Sequence, residues 1–140
     1  METFASPTGA HRAERPAYDR IATVTALTKY TYALVPILAG LDKFLHLLTD
    51  WNKYLAPVVA DILPFSTGTF MSVVGIIEII AGVLVLIKPK IGAMVVGLWL
   101  VGIAINLLLT GEYYDIAVRD LVMAVGAFSL FLLIPEEDKA

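Results

Sequence analysis

Cysteine is absent from the chain, which excludes disulfides, thiol nucleophiles, CxxC redox chemistry and cysteine-ligated iron–sulfur clusters. Histidine is nearly absent as well. With only His11 and His46, bis-histidine haem ligation inside a membrane has no basis, and no metal site is expected. Charge is scarce: 16% of residues are Asp, Glu, Lys or Arg, against about 25% in an ordinary soluble domain. The net charge is −3 and no basic stripe is present, so nucleic acid is not an expected partner.

What fills the chain instead is apolar side chain, 59% of its 140 residues, with a mean hydropathy of +0.81. A soluble domain of about 150 residues buries only around 70% of its unfolded surface, too little to hide so much apolar area. Lipid is the better solvent. One domain is expected, an all-α integral membrane four-helix bundle.

Four apolar segments have the length that hydrocarbon requires, about 20 residues each. Residues 1–15, with Pro7, Gly9 and balanced charge, read as a disordered cytoplasmic tail. Pro16 suits a first helical turn, and a long first helix is expected from there to Leu48, crossing lipid from Tyr30. The basic residues before it imitate a signal peptide. Lys29 interrupts the run, however, and no small-x-small cleavage site follows, so a retained helix is expected. The second helix is expected over Gly68–Ile87, with Ser66 or Thr67 as its cap, and Lys88-Pro89-Lys90 as a hairpin turn. The third covers Ile91–Leu109 and the fourth Ile116–Ile134, leaving 135–140 as a short acidic tail.

The link between the first two helices carries Trp51, Tyr54, Leu55, Val58, Val59 and Ile62 at helical spacing, with Asn52, Lys53 and Asp61 off that stripe. This is the pattern of an amphipathic segment lying in the interface, kinked at Pro57 or beginning a helix there. A loop packed over the bundle mouth fits it equally. Trp51, Tyr54, Tyr113 and Tyr114 read as an aromatic belt on the same side. Seven of the ten lysines and arginines fall on the opposite side (Arg12, Arg15, Arg20, Lys29, Lys88, Lys90, Lys139). The positive-inside rule then places both termini in the cytoplasm.

Charge inside the spans is the main functional clue, because it costs several kcal/mol unless paired. Asp42, Lys43 and His46 lie in the first helix, Glu78 in the second, Asn106 in the third, and Arg119 and Asp120 in the fourth. At 100° per residue, Lys43 aligns with Pro36 and Gly40, and Glu78 with Gly75 and Gly82. Asn106 aligns with Trp99 and Gly102, and Arg119 with Gly126 and Ser129. Each polar residue therefore shares a small-residue seam where membrane helices approach closely. A buried cluster of Lys43, Glu78, Asn106, Arg119, Asp42 and Asp120 is expected, with Glu78 contacting Lys43 or Arg119. Two roles are open to it: a set of ion pairs that locks the bundle, or a pocket for a polar head such as a quinone ring or small anion. A lone His46 is read as an interface side chain rather than a ligand, and Gly75, Gly82, Gly92 and Gly102 as packing positions.

The segments GLDKF (Gly40–Phe44), GIIEIIAG (Gly75–Gly82) and YYDIAVRD (Tyr113–Asp120), with Asn106 between the last two, give the chain a family likeness over residues 30–134. It resembles the DoxX-like family of small bacterial four-helix membrane proteins. The resemblance falls on Lys43, Glu78, Asn106 and Arg119 and implies the same four-helix fold. The family takes its name from the membrane subunit of a thiosulfate:quinone oxidoreductase, while its thiol–quinone relatives use cysteines that this chain lacks. A non-catalytic accessory or scaffold subunit of an oxidoreductase or respiratory complex is thus expected, with no intrinsic cofactor. Its expected partners are the lipid bilayer and either other subunits of the complex or further copies of itself. The alternative is a subunit that itself binds quinone in the polar cluster. A small-solute permease ranks below both, since no broken-helix repeat is visible.

Overall fold

A computed structural model describes the backbone of residues 10–136 and the side chains from Pro16 to Glu136. The described residues are helical throughout, with no strand, and run α1 (Ala10–Leu45), a short 3-10 turn (Trp51–Tyr54), α2 (Pro57–Ile62), α3 (Thr67–Ile87), α4 (Pro89–Leu109) and α5 (Tyr114–Leu133). Residues 16–45 of α1 and the whole of α3, α4 and α5 are long and apolar enough to cross a membrane. The chain is a multi-pass helical membrane protein built as a four-helix bundle.

The helix ends follow local chemistry. Ser66 caps α3 by accepting a hydrogen bond from the Thr69 N–H at 3.2 Å. Lys88 alone turns the chain into α4, because Pro89 enters at the first helical position, where its missing N–H costs nothing. Beside that turn Lys90 donates to the Ile134 carbonyl at 3.1 Å, closing the last turn of α5. Gly111 (φ 73°) and Tyr113 (φ 59°) make the tight reversal between α4 and α5. Tyr113 tolerates its left-handed backbone where its ring packs edge-on against Tyr54, 4.9 Å between centroids.

Two boundaries differ from the sequence expectation. The helix begins at Ala10, not Pro16, so residues 10–15 are helical rather than a disordered tail. The stretch Ala-His-Arg-Ala-Glu-Arg is made largely of good helix formers, and Pro16 is accommodated inside the helix. The expected tails over 1–9 and 137–140 lie outside the described residues. The other difference is at the far end, where α1 stops at Leu45 because His46 turns left-handed (φ 53°) while its N–H still donates to the Asp42 carbonyl. Histidine is among the few side chains that visit this region readily.

α1 and α3 run antiparallel and touch backbone to backbone. A Cβ on Gly40 would lie 2.5 Å from the Gly75 carbonyl oxygen, and one on Gly82 would strike the Ala33 carbonyl. Only glycine permits this approach, which is the small-residue packing that membrane helices use in place of a hydrophobic drive. The register brings Ile87, the end of α3, level with about residue 28 of α1. α1 is about 54 Å long at 1.5 Å per residue, so its N-terminal half projects beyond the α3–α4 hairpin. Within α1, Thr23, Thr25, Thr28 and Thr31 each donate to the carbonyl four residues back, so none of these threonine hydroxyls is left unpaired. α4 and α5 form the second tight pair, through Ala93, Val96, Ala127 and Leu130 at one end and Ala104, Leu107 and Ala117 at the other.

Candidate functional site

The four buried charged side chains among the described residues are Asp42, Lys43, Glu78 and Asp120, exposed by 5%, 5%, 6% and 8%. They collect in the half of the bundle farther from the termini. Lys43 and Glu78 meet across the glycine seam with Nζ 2.6 Å from Oε2. Gly40 and Gly75 draw the two backbones together, and the pair forms one turn along on each helix. The Lys43 ammonium also lies beneath the indole of Trp51, 3.8 Å from the ring centroid. A desolvated cation–π contact adds up to about 2 kcal/mol to such a pair.

Trp51 is therefore a lid on the ion pair. Its position is set by Asp42, which accepts from Trp51 Nε1 at 2.8 Å. The same carboxylate accepts from the Leu47 and Leu48 N–H groups that the end of α1 exposes, at 2.9 and 3.1 Å. The expected membership of Asp42 in the ion-pair cluster is corrected here: adjacent residues on a helix point about 100° apart, so Lys43 turns to Glu78 while Asp42 turns to the chain reversal. Asp42 is a capping carboxylate.

Asn106 has a related task. Its Nδ2 donates to the Tyr54 carbonyl at 2.7 Å, and its Oδ1 accepts from the Ala56 N–H at 3.0 Å. One amide thus satisfies both backbone groups flanking Leu55, where the 3-10 turn ends and Pro57 has not yet opened α2. Leu55 and Ala56 are buried as a result. Asn106 holds the linking segment onto α4 and is not a member of the charged cluster. Val58 and Ile62 of α2, expected to share the stripe of Trp51, instead face away from the bundle with Leu47 and Leu48. The stripe divides at Pro57 because the chain there is two short helices rather than one.

Arg119 is corrected outright. Its side chain is 73% exposed and pairs with Asp115 one turn earlier on α5, Nη2 to Oδ2 3.2 Å. The inward face of α5 is Ala117, Asp120, Ala124, Ala127 and Leu130, not Arg119, Gly126 and Ser129. Of two neighbouring ionisable residues only one can face inward, and the alanine stripe selects Asp120. A similar rotation applies to α4: Gly92, Ala93, Val96, Gly97, Ala104 and Leu107 are its buried residues, while a Cβ on Gly102 would meet open space. Tyr114 is exposed, whereas Tyr113 packs on Tyr54, and Trp51 lies 6.1 Å from Tyr54. His46 is exposed, and no group of three or more potential metal ligands exists among the described residues.

Two features were not foreseen. Tyr32 spans from α1 to α5, donating its hydroxyl to the Met123 carbonyl at 2.6 Å. Trp99 buries its indole N–H without a partner. Small residues facing long aromatics (Gly126 opposite Tyr32, Gly97 opposite Phe128) were the available signal for the first, but only with the helix register known. Comparison with protein-family models, with curated proteins and with solved structures finds no match. The function of the cluster is therefore argued from its own geometry.

Proposed function

We propose that this chain is a non-catalytic accessory or scaffold subunit, DoxX-like in kind, of an oxidoreductase or respiratory assembly in the bacterial inner membrane. The observation that carries this reading is the saturation of the polar end of the bundle. Lys43 is committed to Glu78 and covered by Trp51, Asp42 to three N–H donors, and Asn106 to two backbone groups. Catalysis or ligand binding needs side chains free to engage another molecule. Here nearly every polar group is used to fasten one segment of the chain to another.

The quinone-binding alternative draws on Trp99, the one buried donor without a partner among the described residues, and on Asp120. It is the weaker reading, since opening the pocket would break the Lys43–Glu78 pair. Both termini are proposed to be cytoplasmic, on the strength of the seven basic residues at that end. Purification of the full chain in mild detergent followed by native mass spectrometry tests the proposal. Recovery with stoichiometric oxidoreductase subunits is the expected result. A chain recovered alone would overturn it, and recovery alone with one quinone per chain would put the alternative in its place.

A further inference from the structure

Counting charge inside the bundle leaves one carboxylate in excess. Lys43 neutralises Glu78, and Asp42 is stabilised by three N–H donors at the chain reversal. Asp120 is more than nine-tenths buried, yet among the described residues it makes no ion pair and accepts no hydrogen bond. It lies within electrostatic range of Glu78.

The surrounding elements offer it no counter-charge. From α1, Lys43 is already bound to Glu78, and the Tyr32 hydroxyl donates to the Met123 carbonyl instead. From α3 the only ionisable group is Glu78, which repels it. α4 has no ionisable side chain between Ile91 and Thr110, and Lys90 is at its other end, bonded to Ile134. On α5, Arg119 points outward to Asp115, and on the linking segment Lys53 lies over the Tyr54 ring. Two carboxylates thus face one ammonium in a medium where an unpaired charge costs several kcal/mol.

We infer that Glu78, Asp120 and Lys43 form a membrane-embedded proton-binding site, in which the two carboxylates hold one exchangeable proton and Lys43 is the fixed counter-charge. The proton is taken from water onto a carboxylate oxygen and returned to water, leaving the Lys43–Glu78–Asp120 cluster neutral when loaded and at −1 when empty. A metal cation fits poorly. It would need several oxygen ligands where two carboxylates stand, and it would be repelled by an ammonium already 2.6 Å from one of them. A proton needs only one lone pair. The inference does not depend on the accessory-subunit reading and survives its failure.

Infrared spectroscopy of the full chain in lipid nanodiscs counts protonated carboxyl groups through their C=O stretch, assigned by its shift in heavy water. The wild type is expected to show one buried protonated carboxyl per chain at pH 7. Asp120→Asn should show none, since Glu78 then balances Lys43. Glu78→Gln should also show none, because Asp120 becomes the partner of Lys43. Lys43→Met should show two. Circular dichroism establishes that each variant is helical, and the wild-type band stands as a test even where a variant does not fold. Absence of that band at pH 7, or its persistence in Asp120→Asn, would overturn the site. A band present in choline buffer but abolished by sodium would also overturn it, by showing that a metal ion takes the place of the proton.

Discussion

Removing the two partners of the buried ion pair should not cost the same. Lys43 and Glu78 meet at 2.6 Å with side chains only 4% and 7% exposed, so breaking the pair leaves a charge in a low-dielectric interior. Lys43→Met strips the only ammonium from two carboxylates and removes the cation beneath Trp51. The expected loss is about 3–5 kcal/mol, the range for removing one member of a buried pair, met here by forcing a second proton onto the carboxylates and by the lost contacts of the ammonium. Glu78→Gln leaves Lys43 covered by Trp51, and the expected replacement counter-ion is Asp120, the buried carboxylate without a partner among the described residues. Its cost should be nearer that of one charge-assisted hydrogen bond, about 1.5–3 kcal/mol. In Lys43→Met/Glu78→Gln both charges are gone while Asp120 retains its proton, so the double variant should lie within about 1–2 kcal/mol of wild type. The assay is reversible unfolding in mixed micelles, followed by circular dichroism, with the four proteins forming a double-mutant cycle. If Glu78→Gln is the more damaging single change, Asp120 is not a substitute partner. If the double variant shows the sum of both losses, the pair is not coupled and the geometry has been misjudged.

Three other outcomes follow from separate parts of the structure. Gly82→Ala should destabilise by about 1–3 kcal/mol, as overpacking does, since its methyl would strike the Ala33 carbonyl; Gly102→Ala should be tolerated, and unfolding of both variants in micelles checks the contrast. Asn106→Leu should leave the Tyr54 carbonyl and Ala56 N–H unpaired at a cost of about 1–3 kcal/mol for each group that stays buried. The released segment should then expose Trp51, read as a red shift in fluorescence of the Trp99→Phe background. With no native cysteine to interfere, Lys88→Cys and Glu112→Cys should react with an impermeant maleimide from opposite faces of sealed membranes; labelling from one face alone would contradict the span between them.

The four spans were legible because length and apolar composition alone determine which segments suit hydrocarbon, and no tertiary information is needed for that. The Lys43–Glu78 contact was legible for a related reason: both residues share a stripe with glycines, and glycine seams are where backbones meet. On α5 the same rule misled. Gly126 does face a neighbour, but that neighbour is the tip of Tyr32 rather than a helix backbone, so the stripe through Gly126 does not mark the centre of the bundle. Ala117, Ala124 and Ala127 mark it, and they carry Asp120 with them. The division of labour between Asp42 and Lys43 was also hidden. Where a helix ends by a left-handed residue such as His46 depends on which carboxylate is available to receive the freed N–H groups, and that is decided by the fold of the following segment.

The polar interior has two tiers with opposite properties. The first tier is a closed chain of contacts: Asp42 positions Trp51, Trp51 covers Lys43, Lys43 neutralises Glu78, and Asn106 clamps the segment that carries Trp51. Each member positions the next, and the ion pair is closed off from water. The second tier is Asp120, which among the described residues has no donor, and Trp99, whose N–H has no acceptor. A fold selected only for stability gains nothing from an unpaired buried carboxylate, since an apolar residue on the same alanine stripe would pack without an electrostatic cost. The saturated first tier is explained by cohesion. Asp120 is not, and the smallest species that would account for it, without breaking the Lys43–Glu78 pair, is a proton.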